Sequence, residues 1–241
     1  MLDLQNLRKA FGPHLAVADL SFNLGKGEVL GFLGQNGAGK STTMRMVAGV
    51  LEPDTGDAIV AGQSIVTDRR AAQAQIGYLP EGAPLYRDMT PITFLRFMAD
   101  AHGLTRVDRK NAVERVVADA RIANVAGKPI SALSKGYRRR VGLAAALIHD
   151  PPVLLLDEPT DGLDPIQKRA VRALVARIAP EKAIVISTHT LEEVPAMCSR
   201  VIVIDQGHVV ADQTPEELSA RQPGGLEEAF IALADSREVS A

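Results

Sequence analysis

One cysteine, Cys198, is present in 241 residues, so no internal disulfide can form and the fold rests on packing. Long hydrophobic runs are missing too. The longest apolar stretches, such as LAAALI and VLLL, fall far short of the roughly 18 residues that suggest a membrane span. The opening residues MLDLQNLRKAFG lack the extended apolar core of a secretory signal, which together with the lone cysteine points to the cytosol. Neither sign of charge is in excess: 27 Lys and Arg stand against 29 Asp and Glu, net −2, which argues against bulk nucleic-acid binding. The sequence contains no internal repeat, low-complexity tract or sustained heptad pattern.

What is present is ordinary globular chemistry, 46% hydrophobic and 23% charged, in a chain long enough for one large domain or one domain with an insertion. LDLQNL and VADLSFNL alternate as half-buried strands do, and EVLGFLG is a near-continuous strand ending in glycine. The runs at 153–156, 183–187 and 201–204 have the composition of strands buried on both faces, separated by helical patterns such as PIQKRAVRALVARI. The pattern predicts an α/β fold: a mostly parallel sheet with flanking helices, preceded by antiparallel N-terminal strands. Residues 88–149 carry three helical patterns and no convincing strand, which predicts an inserted all-helical subdomain. Residues 1–87 and 150–241 then form the core, with the Pro/Gly-rich LPEGAPLY and HDPP as joints. LEEAFIALADS reads as one amphipathic helix followed by a short end.

Chemistry enters with GQNGAGKST. Gly34, Gln35, Asn36, Gly37, Ala38, Gly39, Lys40, Ser41 and Thr42 spell G-x-x-x-x-G-K-S plus Thr42, directly after a predicted strand and before a predicted helix. Glycines let backbone N–H groups turn inward around phosphate oxygens, and the helix N-terminus adds its positive dipole end. Lys40 then places charge on the terminal phosphates, and the Ser41 hydroxyl suits Mg²⁺. The motif predicts a P-loop nucleotide-binding core.

PPVLLLDEPTDGLDP is a buried strand with Asp157 and Glu158 at its polar end, where ligands of open α/β sheets bind. Asp157 is placed to hold the metal, and Glu158 to act as the base that polarises attacking water, since phosphoryl transfer needs positioning more than covalent chemistry. His189 follows the next strand, AIVIS, at a neighbouring strand exit.

SALSKGYRRRVGLAAAL places Arg138, Arg139 and Arg140 at a predicted helix start. At about 100° per residue they fan out and cannot all address one phosphate. Arg138 and Arg139 are expected to face solvent or a partner.

With a phosphate loop, an acidic strand end, a histidine after the next strand and Leu-Ser-x-Gly before a basic helix, nearly the whole chain resembles the ATP-binding cassette (ABC) ATPases of membrane transporters. IGYLPEGAPLY, LSKGYRRRVGLA and EPTDGLDP make it most similar to the ABC-2 exporter type. The resemblance implies that Phe11 stacks on adenine with Val17 packing nearby. It implies that Ser134, Lys135, Gly136 and Tyr137 form a signature that meets the γ-phosphate held by another protomer. Asp164 then belongs to the loop linking the two sites, His189 contacts the γ-phosphate, and Arg140 matches the arginine common after the signature.

The implied cofactors are ATP and Mg²⁺, with Ser41, Asp157 and Glu81 around the metal. The implied partners are a second copy or a similar ATPase subunit, and a transmembrane permease docked in the groove around residues 81–89, which would hold the protein on the cytoplasmic face of the membrane. Relatives that act on DNA or ribosomes carry paired cassettes, long coiled coils or zinc cysteines, none of which is seen here. A P-loop kinase would leave LSKGY unexplained.

Two departures stand out. The family usually has glutamine where this chain has Glu81, and glycine and glutamine where it has Lys135 and Tyr137. Glu81 offers an oxygen to the metal but is an anion beside triphosphate. Either it turns to solvent or the permease, or its charge is offset by Lys135 of the other protomer.

Overall fold

The computed structural model describes residues 1–238, with side chains described as far as residue 233. The chain opens with β1 (Leu2–Phe11), β2 (His14–Leu24) and β3 (Val29–Leu33), then α1 (Lys40–Val47), β4 (Thr55–Val60), β5 (Gln63–Ser64), α2 (Arg69–Gln73) and β6 (Ile76–Leu79). Its middle is helical: α3 (Pro91–Ala101), α4 (Arg106–Asp119) and α5 (Lys135–Ala146) precede β7 (Val153–Asp157). There follow α6 (Pro165–Ile178), β8 (Ala183–Ser187), α7 (Val194–Met197), β9 (Arg200–Asp205), β10 (His208–Gln213), α8 (Pro215–Ser219) and α9 (Gly225–Glu238).

The strands form two sheets. One is antiparallel, in the order β2-β1-β4-β5. The other runs β10-β9-β3-β8-β7-β6, parallel throughout except for β10 at its edge. The α/β architecture is therefore the expected one, with the antiparallel strands at the N-terminus. β4, β5, β6 and β10 are additional to the strands read from the sequence. β6 is only four residues, IGYL, and Pro80 ends it by removing a backbone donor.

Both faces of the larger sheet are covered, which explains its unbroken apolar runs. Val153 and Leu155 point into one apolar cluster, with Leu2, Leu4, Leu20 and Phe32, beneath the antiparallel sheet. Leu154 and Leu156 point into the other, which continues through Leu95, Val116, Ile130 and Val141 of the helical segment. The helices therefore extend one of the sheet's two cores. Contact is closest at Gly77 of β6, where a Cβ would lie 2.1 Å from the Ala146 carbonyl of α5.

Polar N-caps fix where several helices begin. Thr90 caps α3, Ser134 caps α5 and Asp164 caps α6, each accepting from the backbone N–H three residues on. Pro91 and Pro165 supply the preset φ of the first helical turn. The segment LEEAFIALADS lies within α9; the residues after 238 fall outside the described part of the chain.

Candidate functional site

The phosphate loop leaves β3, whose five residues are all buried, and runs straight into α1. Its curvature depends on Gly39, at φ 107°, where a Cβ would sit 2.4 Å from the Ala16 carbonyl. The loop is braced from behind, because the Gly207 N–H of the β9–β10 turn donates to the Ala38 carbonyl at 3.0 Å. Lys40 is buried, and its Nζ donates to the carbonyls of Gly34 at 2.6 Å and Gln35 at 2.9 Å. Burial pulls its ammonium below the usual lysine range, while Glu158, Asp157 and Glu81 pull it back up.

Next to the loop, β7 delivers Asp157, a buried carboxylate that accepts from the Ser187 hydroxyl of β8. Glu158 turns the chain off the strand with φ 52°, a left-handed conformation uncommon outside glycine. That turn sends its carboxylate to His189: Oε1 accepts from the His189 backbone N–H at 3.0 Å and lies 2.7 Å from its ring Nδ1. The His189 side chain is 61% exposed.

The segments after Glu158 and His189 are also tied together. Thr160 donates to the buried Glu193 carboxylate at 2.5 Å, and Lys168 of α6 pairs with it at 2.8 Å. Burial would raise the Glu193 pKa, but the hydrogen bonds from Lys168 and Thr160, with the nearby Lys168 and Arg172 charges, hold it below the usual carboxylate range.

One cavity of about 730 Å³ joins these parts. Its wall includes Phe11, Gly34, Gln35, Asn36, Gly37, Gly39, Lys40, Ser41 and Thr42 together with Glu81, Asp157, Glu158 and His189. The glycine-rich loop, a hydroxyl and three carboxylates thus share one space. The sequence profile of ABC transporters matches residues 17–161.

The chain belongs to the ABC transporter family. The linearmycin resistance ATP-binding protein of Bacillus subtilis is 36% identical over 241 residues, spanning 96% of this chain and 78% of the relative. The Nod factor export ATP-binding protein I of Sinorhizobium fredii is 37% identical over 224 residues, spanning 92% of this chain and 65% of the relative. A solved ATP-binding subunit of an ABC transporter superposes with a TM-score of 0.88 at 26% identity, covering 97% of this chain and 99% of that one.

In an ABC ATPase the reaction is attack of water on the γ-phosphorus of ATP, which releases ADP and phosphate. Here Lys40 and the glycine-rich loop line one cavity. Glu158 and His189, in contact with each other, line the same cavity as the loop.

Not every cassette residue lines this cavity. Phe11 is 49% exposed on the cavity wall, as a base-stacking ring requires, but Val17 is buried in the core behind the loop and Ala16 takes the wall position. Ala38 likewise faces the core. Ser134, Lys135, Gly136, Tyr137 and Asp164 do not line the cavity of their own chain. Ser134 caps α5, Asp164 caps α6, and Tyr137 lies under the Arg140 guanidinium with its hydroxyl 2.7 Å from Asn124 Nδ2. Lys135 Nζ is 2.7 Å from Asp161 of its own chain, a contact that holds the Asp161 carboxyl below its usual range.

Of Arg138 and Arg139, expected to face solvent or a partner, Arg139 does neither. Arg138 is half-buried and donates to the Leu133 carbonyl at 3.0 Å. Arg139 is 5% exposed, because its face of α5 packs against the ends of β6 and β7. Asp161, Thr188 and Phe230 of α9 also line the cavity and were not singled out from sequence. The position of Asp161, directly beyond DEPT, was the one available signal for it. Phe230, in the chain's last helix, carried none.

Proposed function

We propose that this cassette works as a head-to-tail pair with a second copy or a similar subunit, closing on two Mg-ATP and driving a separate permease of an export system. The observation that carries the reading is the separation of the signature from its own site. Ser134 and Lys135 are exposed at the start of the 12-residue helix α5, outside the cavity that holds the phosphate loop, Glu158 and His189. A helix N-terminus attracts anions, so this one is suited to a phosphate presented by another protomer. Export is supported by the roles for which the relatives are named, linearmycin resistance and Nod factor export.

Mg²⁺ fits the donor set, since the Ser41 hydroxyl and the Asp157 and Glu81 carboxylates are hard oxygen ligands on one wall. When bound, the ion neutralises charge on the phosphates. Among the described residues no helix is long and apolar enough to cross a membrane, so the permease would be a separate chain that keeps this subunit at the cytoplasmic face. An apolar groove of about 540 Å³, walled by Tyr78, Leu85, Tyr86, Phe94 and Phe97 between β6 and α3, offers that chain a docking surface.

Glu158→Gln with Mg-ATP should give a dimer by light scattering, from a protein that is monomeric without nucleotide. Persistent monomers at saturating ATP would count against the pairing.

A further inference from the structure

Four carboxylates, Glu81, Asp157, Glu158 and Asp161, line the nucleotide cavity, and Lys40 is the one lysine or arginine lining it among the described residues. Lys135 is engaged with Asp161 at 2.7 Å. A site meant for a triphosphate is therefore strongly anionic on its own wall, and Glu81 adds charge at a position where resembling cassettes have glutamine.

Directly behind that wall lies Arg139. Its Nη1 donates to the Pro80 carbonyl at 3.0 Å, and its Nη2 donates to the carbonyls of both Asp157 and Glu158. Pro80 is the residue before Glu81. The planar fork thus joins the ends of β6 and β7, the two strand exits from which Glu81, Asp157 and Glu158 emerge. A guanidinium suits the task because its donors are rigidly arranged and its charge persists when buried. Burial lowers the Arg139 pKa, and the nearby charges of Asp157, Asp161, Glu158 and Glu81 oppose that fall in part.

We propose that Arg139 is a positioning residue and the cis counter-charge of this ATPase site. It sets the spacing of the two acidic strand ends and offsets Glu81 from within the same protomer. A counter-charge to Glu81 is then present in cis before any dimer forms. Arg139 also sits in the helix whose first turn carries Ser134 and Gly136, so movement of α5 reaches Glu158 through one side chain. The inference rests on the ATPase reading for its effect on nucleotide, while the link between Arg139 and Glu81 stands on the nucleotide-free fold.

The test is a cycle of Arg139→Gln, Glu81→Gln and the double variant, with Arg139→Lys as a second probe that keeps charge and loses the fork. Two quantities are read: the thermal midpoint of nucleotide-free protein, and the affinity for ATP in EDTA. Arg139→Gln alone should weaken Mg-free ATP binding about 10-fold, equivalent to about 1.4 kcal/mol, and Glu81→Gln should restore most of that loss. The thermal midpoint should be non-additive in the same direction. Arg139→Lys should keep the affinity but lower kcat at unchanged KM.

Equal losses from Arg139→Gln with Glu81 intact and with Glu81→Gln already in place would overturn the proposal and leave Arg139 a packing residue. Should Arg139→Gln not fold, the cycle runs on the thermal midpoint with Arg139→Met, which also removes the charge, and strict additivity has the same meaning. Failure of wild-type protein to bind ATP would instead strike the ATPase reading, since the nucleotide-free cycle does not depend on it.

Discussion

The φ of 52° at Glu158 is a small geometric fact with a chemical result. It turns the carboxylate away from β7 and toward the amide and ring of His189, so the proposed base is aimed by a backbone conformation and held by two contacts. Glu158→Gln preserves the shape and removes the basicity. Phosphate release should fall about 10²- to 10⁴-fold, the range for a positioned acid–base group, while equilibrium ATP binding persists. A variant that loses binding and turnover together would place Glu158 among the phosphate ligands instead.

At the scale of elements, the end of α3 and the turn after α5 are joined by the stacked rings of His102 and His149, 3.7 Å apart and 9° from parallel. Burial, aided by neighbouring His102, pushes the His149 pKa down to about 4. In the unfolded chain an ordinary histidine titrates near 6.5. As pH falls from about 6.5 toward 4 the unfolded state takes up a proton that the folded state refuses, so this group's contribution to stability is present at neutral pH and lost on acidification. The thermal midpoint should therefore drop between pH 7 and pH 5, and His149→Phe, which keeps a stacking ring without a titrating nitrogen, should flatten that drop.

Elements also show what could be read from the sequence and what could not. The phosphate loop, Asp157, Glu158 and His189 were legible because each stands at the polar end of an unmistakable apolar strand, and strand ends in a parallel sheet converge. Glu81 was legible only by resemblance, since the four-residue β6 before it is too short to show a period. Arg139 was misread because consecutive arginines suggest a solvated face. Helical spacing was the better guide: Arg139 shares its face with Gly142, Leu143 and Ala146, and all four are buried. Val17 was placed one residue out because alternation in β2 fixes which residues share a face, and the cavity takes the opposite face, that of Ala16.

The whole molecule is organised by a sheet with no solvent-facing side at its centre. Leu155 is 0% exposed, packed beneath the antiparallel sheet, while its neighbours Leu154 and Leu156 serve the core shared with the helices. Leu155→Ala should cost about 2–5 kcal/mol in a urea titration, the range for an aliphatic deletion that leaves a cavity. Saturating ATP should recover part of that loss, because ligand bound to the folded state adds to its stability.

Phe230 reaches the wall of the same cavity from α9, the last described element of the chain. The tail helix and the nucleotide therefore share a surface, and filling the cavity should slow amide exchange along residues 225–233. Hydrogen–deuterium exchange of that helix would then serve as an intrinsic occupancy gauge, reporting the loaded fraction of the subunit without a dye, a tag or turnover.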